Sequence, residues 1–247
     1  MNRELVVFCI VCLSFLAAPA LSNAADHWIP PADPQVVTNN DCGFVSDADG
    51  SPVIRRSFHG EGQPGIDARV ADRLSSGDEL VVPTGSRLEW TSGTNMIVVL
   101  GSGSRARLGG LRSFPGPDGR TVTRLDFQLL SGEARVQVRL NDNRPEAVLA
   151  TLAGAEVLIR RGDVELFADA GWRSVVLTGD AFARVRRGGV AGAPFALLPG
   201  RAVGLGGEEM LSDTELAAIR RRLPFSFELM NAALPPLPSM SLELEAP

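Results

Sequence analysis

The feature that most limits what this chain can fold into is a period-two alternation of apolar and polar residues, restarted repeatedly by a glycine. In SGEARVQVRL, residues 131–140, Ala134, Val136, Val138 and Leu140 fall on one side of an extended strand, and Glu133, Arg135, Gln137 and Arg139 on the other. That is the pattern of a strand with one buried and one wet face. FARVRR, residues 182–187, follows the same logic, with Phe182, Arg184 and Arg186 opposite Ala183 and Val185. Glycine with a polar neighbour opens run after run: SGDELVV from Ser76, TGSRLEW from Thr84, GSGSRARLG from Gly101, SGEARVQV from Ser131, RGDVELF from Arg161, TGDAFARV from Thr178 and PGRAVGL from Pro199. Gly77 with Asp78, Gly85, Gly103, Gly132, Gly162 and Gly179 are therefore read as structural turns, where glycine's backbone freedom is useful. The triplet Arg161-Gly162-Asp163 has the composition of an adhesion signal, but its place at the mouth of an alternating run makes it a turn as well. The spacing predicts on the order of 13 to 15 short strands, and hence an all-β fold of β-solenoid or sandwich-like form.

Helical periodicity is confined to the C-terminal region. SDTELAAIRRRL, residues 212–223, begins with Ser212 and carries Glu215 three residues later, the pattern of a capping box. Arg220 to Arg222 fall in the last turn, where they suit the helix dipole, and Pro224 ends the segment. The apolar, Pro-rich tail beyond it is expected to add a strand or to stay extended, with Leu234–Pro238 as a candidate polyproline II segment. The domain plan is a signal peptide over 1–24, a Pro-rich leader over 25–41, a β-domain over 42–206, and a helix with an apolar tail over 207–247.

The N-terminal plan rests on Arg3, an apolar run from Leu5 to about Ala18, the break at Pro19, and small residues after it. Ser22 and Ala24 occupy the −3 and −1 positions of the best cleavage site, and Ala25 offers a neighbouring one. The run falls short of the roughly 20 residues that a membrane span needs. The expectation is a periplasmic or secreted protein with no integral span in the mature chain. Cys9 and Cys12 leave with the signal peptide, and Cys42 remains as a lone thiol.

Composition narrows the chemistry. All 24 basic residues are arginine, and the net charge is −5. A basic surface for nucleic acid is not expected from that balance. His27 and His59 are the only histidines, too few for a metal cluster, and no catalytic residue, cofactor or metal site is assigned. Asp47–Gly50 has the start of a calcium loop, but the twelfth position is Phe58 rather than a glutamate, so a hairpin turn is expected. Glu133, Asp163, Glu165 and Asp180 are candidate acid–base carboxylates; Asp163 and Glu165 share one strand face, read as solvated. The arginine groups Arg160-Arg161, Arg184 with Arg186-Arg187, and Arg220 to Arg222 are candidate anion contacts, expected mostly to pair with nearby Asp and Glu. Trp90 and Trp172, with Trp28 in the leader, are the candidates for a carbohydrate-binding surface, against a packing role.

The order of the runs resembles the FecR domain, a family of exported bacterial β-rich modules. CGFV and GSPVIRR resemble its opening Gly-x-Val and first hairpin, and SSGDELVVPTGSRLEW its Gly-Asp-x-Leu run with Thr-Gly and Gly-Ser steps. MIVVLGSGSRARL resembles its Asp-Gly-Ser hairpin, with Ser102 where the family tends to have Asp. LDFQLLSGEARVQV resembles its Leu-x-x-Gly-x-x-x-Val-x-Val element. ATLAGAEVLIRRGDVELF resembles its Thr-x-x-Ala-x-Val stretch, with Gly162-Asp163 in place of Gly-Thr. WRSVVLTGDAFARV and FALLPGRAVGLG resemble the strands that close the domain. The resemblance covers 42–206 and implies an all-β, non-enzymatic module. In the family's best-known arrangement that module is the periplasmic part of a membrane-bound sigma regulator. Only Met1 to Glu4 precede the apolar run here, so a cytoplasmic sigma-binding part is not expected. The implied role is a binding or scaffold module of the cell envelope, with a protein or an envelope polymer as partner. The alternatives are an interaction subunit of a signalling system that senses an outer-membrane receptor, and a polysaccharide-active enzyme on a β-solenoid.

Overall fold

The computed structural model describes residues 36–57, 64–116, 119–141, 145–169, 171–187 and 190–233. Ala24, Ala25, His27, Trp28, His59 and Leu234–Pro238 lie outside the described residues. The chain lays down β1 (Val37–Asn39), β2 (Asp41–Asp49), β3 (Val53–Arg55) and β4 (Ile66–Asp67). Next come β5 (Arg73–Ser75), β6 (Glu79–Val81), β7 (Arg87–Ser92) and β8 (Met96–Leu100). The longer strands follow: β9 (Arg105–Pro115), β10 (Thr121–Ser131), β11 (Glu133–Val138), β12 (Glu146–Leu152), β13 (Ala155–Phe167) and β14 (Arg173–Arg187). Short strands β15 (Val190–Ala191), β16 (Phe195–Leu197), β17 (Arg201–Gly204) and β18 (Gly207–Met210) close the sheet. Two helices end the described chain, α1 (Asp213–Arg222) and α2 (Ser226–Ala233).

β13 is the trunk of the sheet. One of its edges pairs with β14, from Ala155 opposite Val185 to Phe167 opposite Arg173. The other edge is shared. Its first part, 155–159, pairs with β12, and its second part, 162–167, pairs with β11. The sheet forks there. One arm continues from β12 through β10 and β9 to β6 and β3; the other runs from β11 through β8 and β7 to β2 and β5. The arms meet again at the turn between β5 and β6, where Gly77 N donates to Leu108 O at 2.7 Å and Leu108 N to Asp78 O at 2.9 Å. The sheet therefore curls into a half-barrel.

The core lies between the two arms. Leu88, Trp90, Val98, Leu100 and Val136 point inward from one arm, and Leu108, Leu125, Phe127, Leu129 and Val148 from the other, all buried. Trp90 of β7 meets Phe127 of β10 edge to face at 5.8 Å between ring centres, an arrangement aromatic quadrupoles favour. Each such side chain contributes roughly 1.5–3 kcal/mol by leaving water. The fold is all-β, as expected, and the curled sheet is not a solenoid. A solenoid stacks parallel coils, whereas β10–β12 is the one parallel ladder among the described residues.

The described strands number 18 rather than 13 to 15, and two further expectations change. Gly162 and Gly179 are not turns between strands. They lie inside β13 and β14 and face each other across the ladder, with φ of +102° and +97°. A Cβ on Gly162 would sit 2.0 Å from the carbonyl oxygen of Thr178, and one on Gly179 2.3 Å from that of Arg161. The register slips on both sides of this pair, between Ile159 and Arg161 and between Asp163 and Val164. The glycines let two long strands bulge and bend together. A bulge resets the alternation as a turn does, which is why the sequence reads alike. The second change is a helix, α2, where the tail was expected to be a strand or extended.

Candidate functional site

The outer face of the arm that holds β11 is covered by α1 and α2, and the cover explains why its polar residues are buried. Leu223 and Phe225 press on Val99 of β8, while Leu211 and Ile219 press on Val175 and Leu177 of β14. Between these apolar contacts lies Arg135 of β11, only 1% exposed. Its Nε and Nη2 donate to Asp163 at 2.9 and 2.6 Å, and Nη1 and Nη2 donate to Glu228 of α2 at 2.8 and 3.0 Å. Nη1 also donates to the carbonyl oxygens of Arg220 and Leu223, at the end of α1 that leaves its last carbonyls unpaired. The guanidinium stacks on Phe225, 4.3 Å from the ring centre. Beside it Arg222 bridges Glu133 at 2.9 Å and Glu165 at 2.8 Å. Glu89 of β7 accepts from the backbone N and the hydroxyl of Ser226, both at 2.7 Å.

The face read as solvated is thus enclosed: Asp163 and Glu165 are buried, and so is Arg135. Burial, more than any neighbour, pushes the Glu165 carboxyl up to about 7, against the pull of Arg222 and with the push of Glu133. Its Oε2 is buried with no hydrogen-bond partner.

The solvent-open candidate site lies at the fork. β11 and β12 occupy the same edge of β13 in series, and neither ladder covers Arg160 or Arg161. A groove of about 270 Å³ opens here, lined by Leu140 and Asn141 after β11 and by Pro145 before β12. Arg139 comes from the end of β11, Arg160 and Arg161 from β13, Arg120 from the approach to β10, Glu146 from β12 and Asp180 from β14. Arg161 pairs with Asp180 at 2.8 Å. Glu146 accepts from Thr94 N and Oγ1, both at 3.1 Å, and from Asn95 N at 2.8 Å, so its carboxylate is turned to the β7–β8 turn. Arg139 donates to Gln137 Oε1 at 2.9 Å and lies 4.9 Å from the ring centre of Phe227.

Trp90 and Trp172 present little of their indole surface to solvent, and Trp172 lines a pocket with Arg173 and Gly204–Glu209. Trp90 is fully buried in the core, and Trp172 is 5% exposed. In an inward-facing alternation next to Leu88, an indole is core. Gly77, Gly85 and Gly103 lie in tight turns, and Gly132 joins β10 to β11. Asp78 is buried and organises its turn by accepting from Ser57 N at 3.2 Å, Ser75 N at 2.9 Å and Arg56 at 2.8 Å. Cys42 is buried as a free thiol. Among the described residues no group of three or more His, Cys, Asp or Glu is placed to hold a metal ion, and no helix is long and apolar enough to cross a membrane. Arg184 and Arg186 both hold Glu156, so that pair of candidate anion contacts pairs internally.

No protein-family model and no curated protein matches the chain. Two crystal structures of a proposed anti-sigma factor from Parabacteroides distasonis ATCC 8503, at 1.65 and 2.50 Å resolution, are similar in part. Each aligns with a TM-score of 0.40 and 19% identity over 57% of this chain. The match spans 63% and 62% of the two neighbours, less than two thirds of their own length.

Proposed function

We infer that this protein is a non-catalytic binding module of the cell envelope that works after export. The observation that carries the reading is the groove at the fork, where charged side chains from both arms and the trunk meet on the sheet and stay open to solvent. The ordered Gly-punctuated runs of residues 42–206, with their resemblance to the FecR domain, support a module of this kind, and the signal-peptide pattern before Ala24 and Ala25 supports export. A binding role rather than catalysis is supported by the state of the candidate carboxylates. Glu133, Asp163 and Glu165 each hold an arginine under the helical cover rather than facing a substrate, and Asp180, in the groove, holds Arg161.

Pull-down of tagged protein from crosslinked envelopes tests the reading. Recovery of envelope polymer or several envelope proteins is the expected result. One dominant receptor or regulator would reassign the protein as an interaction subunit of a signalling system. Glycan turnover lost in Glu165→Gln would replace the reading with a polysaccharide-active enzyme. Full-length protein in the cytoplasmic fraction would sink the export part.

A further inference from the structure

We propose that the groove at the fork binds a phosphate group, carried on a glycan of the envelope; this deepens the binding-module reading and rests on it. Arg120, Arg139, Arg160 and Arg161 line the groove together with Glu146 and Asp180, and Arg120 has a partner of its own. Both carboxylates are engaged: Asp180 by Arg161, and Glu146 by Thr94 and Asn95. Arg139 and Arg160 have no carboxylate partner among the described residues. Positive charge that a fold leaves uncompensated in a concave site attracts an anion.

The arrangement favours phosphate over carboxylate. A carboxylate's two oxygens lie in one plane and can both be satisfied by a single guanidinium fork. Arg139 and Arg160 approach from different strands, so a ligand that joins them needs oxygens pointing in more than one direction, which a phosphate monoester has. Arg139 is already held by Gln137 and by the Phe227 ring, which reduces the ordering cost of binding. The groove's volume of about 270 Å³ lies just below the roughly 300–1,000 Å³ of drug-sized sites. That leaves room for a phosphate and part of the sugar bearing it.

The test is a calorimetric and NMR titration of the purified protein with inorganic phosphate, glucose 1-phosphate, acetate and glucuronate at low salt. Both phosphates are expected to shift groove amides, with glucose 1-phosphate the tighter, and acetate and glucuronate to bind at least about tenfold more weakly. Arg139→Gln and Arg160→Gln should each weaken phosphate binding at least about tenfold. Arg69→Gln, an exposed arginine outside the groove, should leave it unchanged. Should a glutamine variant lose its thermal midpoint, Arg139→Lys and Arg160→Lys keep the charge without the fork and should retain weakened binding. Glucuronate binding as tightly as phosphate, or both glutamine variants binding like wild type, overturns the proposal. Equal affinity for the two phosphates overturns its glycan part and assigns free phosphate. Loss of phosphate binding with envelope pull-down intact overturns this proposal alone. Phosphate binding without any envelope recovery sinks the broader reading instead.

Discussion

Gly162 and Gly179 meet across the β13–β14 ladder with positive φ, and each would push a Cβ into the partner's backbone. Gly162→Ala should therefore lower stability by roughly 1–3 kcal/mol from strain alone, with the carbonyl clash added. Gly85→Ala makes the contrast: its φ of +78° is comparable, but nothing lies within 4 Å of the added methyl. Denaturant midpoints should rank wild type above Gly85→Ala and Gly85→Ala above Gly162→Ala; equal midpoints for the two variants would remove the clash from the explanation. Cys42 is a second residue with a clear expectation. Burial first, then the charge of Asp78, pushes its thiol up to about 12. Labelling by a disulfide reagent should proceed only at the rate of global unfolding, and rapid labelling of the native protein would contradict the burial. At this scale the sequence was half legible. Alternation places Val136 and Val138 inside correctly but Leu140, past the end of β11 and 67% exposed, wrongly, and it has no symbol for a face covered by a distant helix, so Arg135 and Glu165 read as wet. Trp90 likewise reads as surface or core until its cross-arm partner Phe127 is known.

α1 was legible because its signals are local. Ser212 Oγ accepts from Glu215 N at 3.3 Å and Glu215 Oε2 accepts from Ser212 N at 2.8 Å, the reciprocal pair that the spacing announces. α2 was not legible in a segment rich in proline and apolar residues. Its available cue is Pro224 followed by Ser226 with Glu228 in the first turn, and its stability comes from nonlocal contacts to Glu89 and Arg135. The cover formed by the two helices makes stability depend on pH. The Glu165 carboxyl rises from an ordinary 4.5 to about 7 in the fold, so the native state holds this proton more tightly than the unfolded chain. Its contribution is complete below about 4.5 and is lost as pH climbs towards 7, at no more than about 1.4 kcal/mol per pH unit. Glu165→Gln should flatten that slope, measured as denaturant unfolding at pH 5 and pH 7.5. A wild type whose pH slope matches that of Glu165→Gln would contradict the assignment.

Across the whole molecule, the strands could be read from the chain, but the fork could not. β11 and β12 are consecutive in sequence yet lie in series on one edge of β13, and their far edges join different arms. Such pairings are nonlocal, so no window of sequence carries them, and Arg139, Arg160 and Arg161 appeared as separate charges rather than the lining of one groove. Whether the protein meets its ligand at this fork is decided by a photo-crosslinking amino acid placed at Leu140, which lines the groove, and at Val70, in the turn before β5. The two positions are matched in access, at 67% and 62% exposed. In intact envelopes the Leu140 position should give envelope adducts that Arg160→Gln diminishes, while the Val70 position gives few. Adducts from Val70 alone, or adducts from Leu140 untouched by Arg160→Gln, would contradict the account.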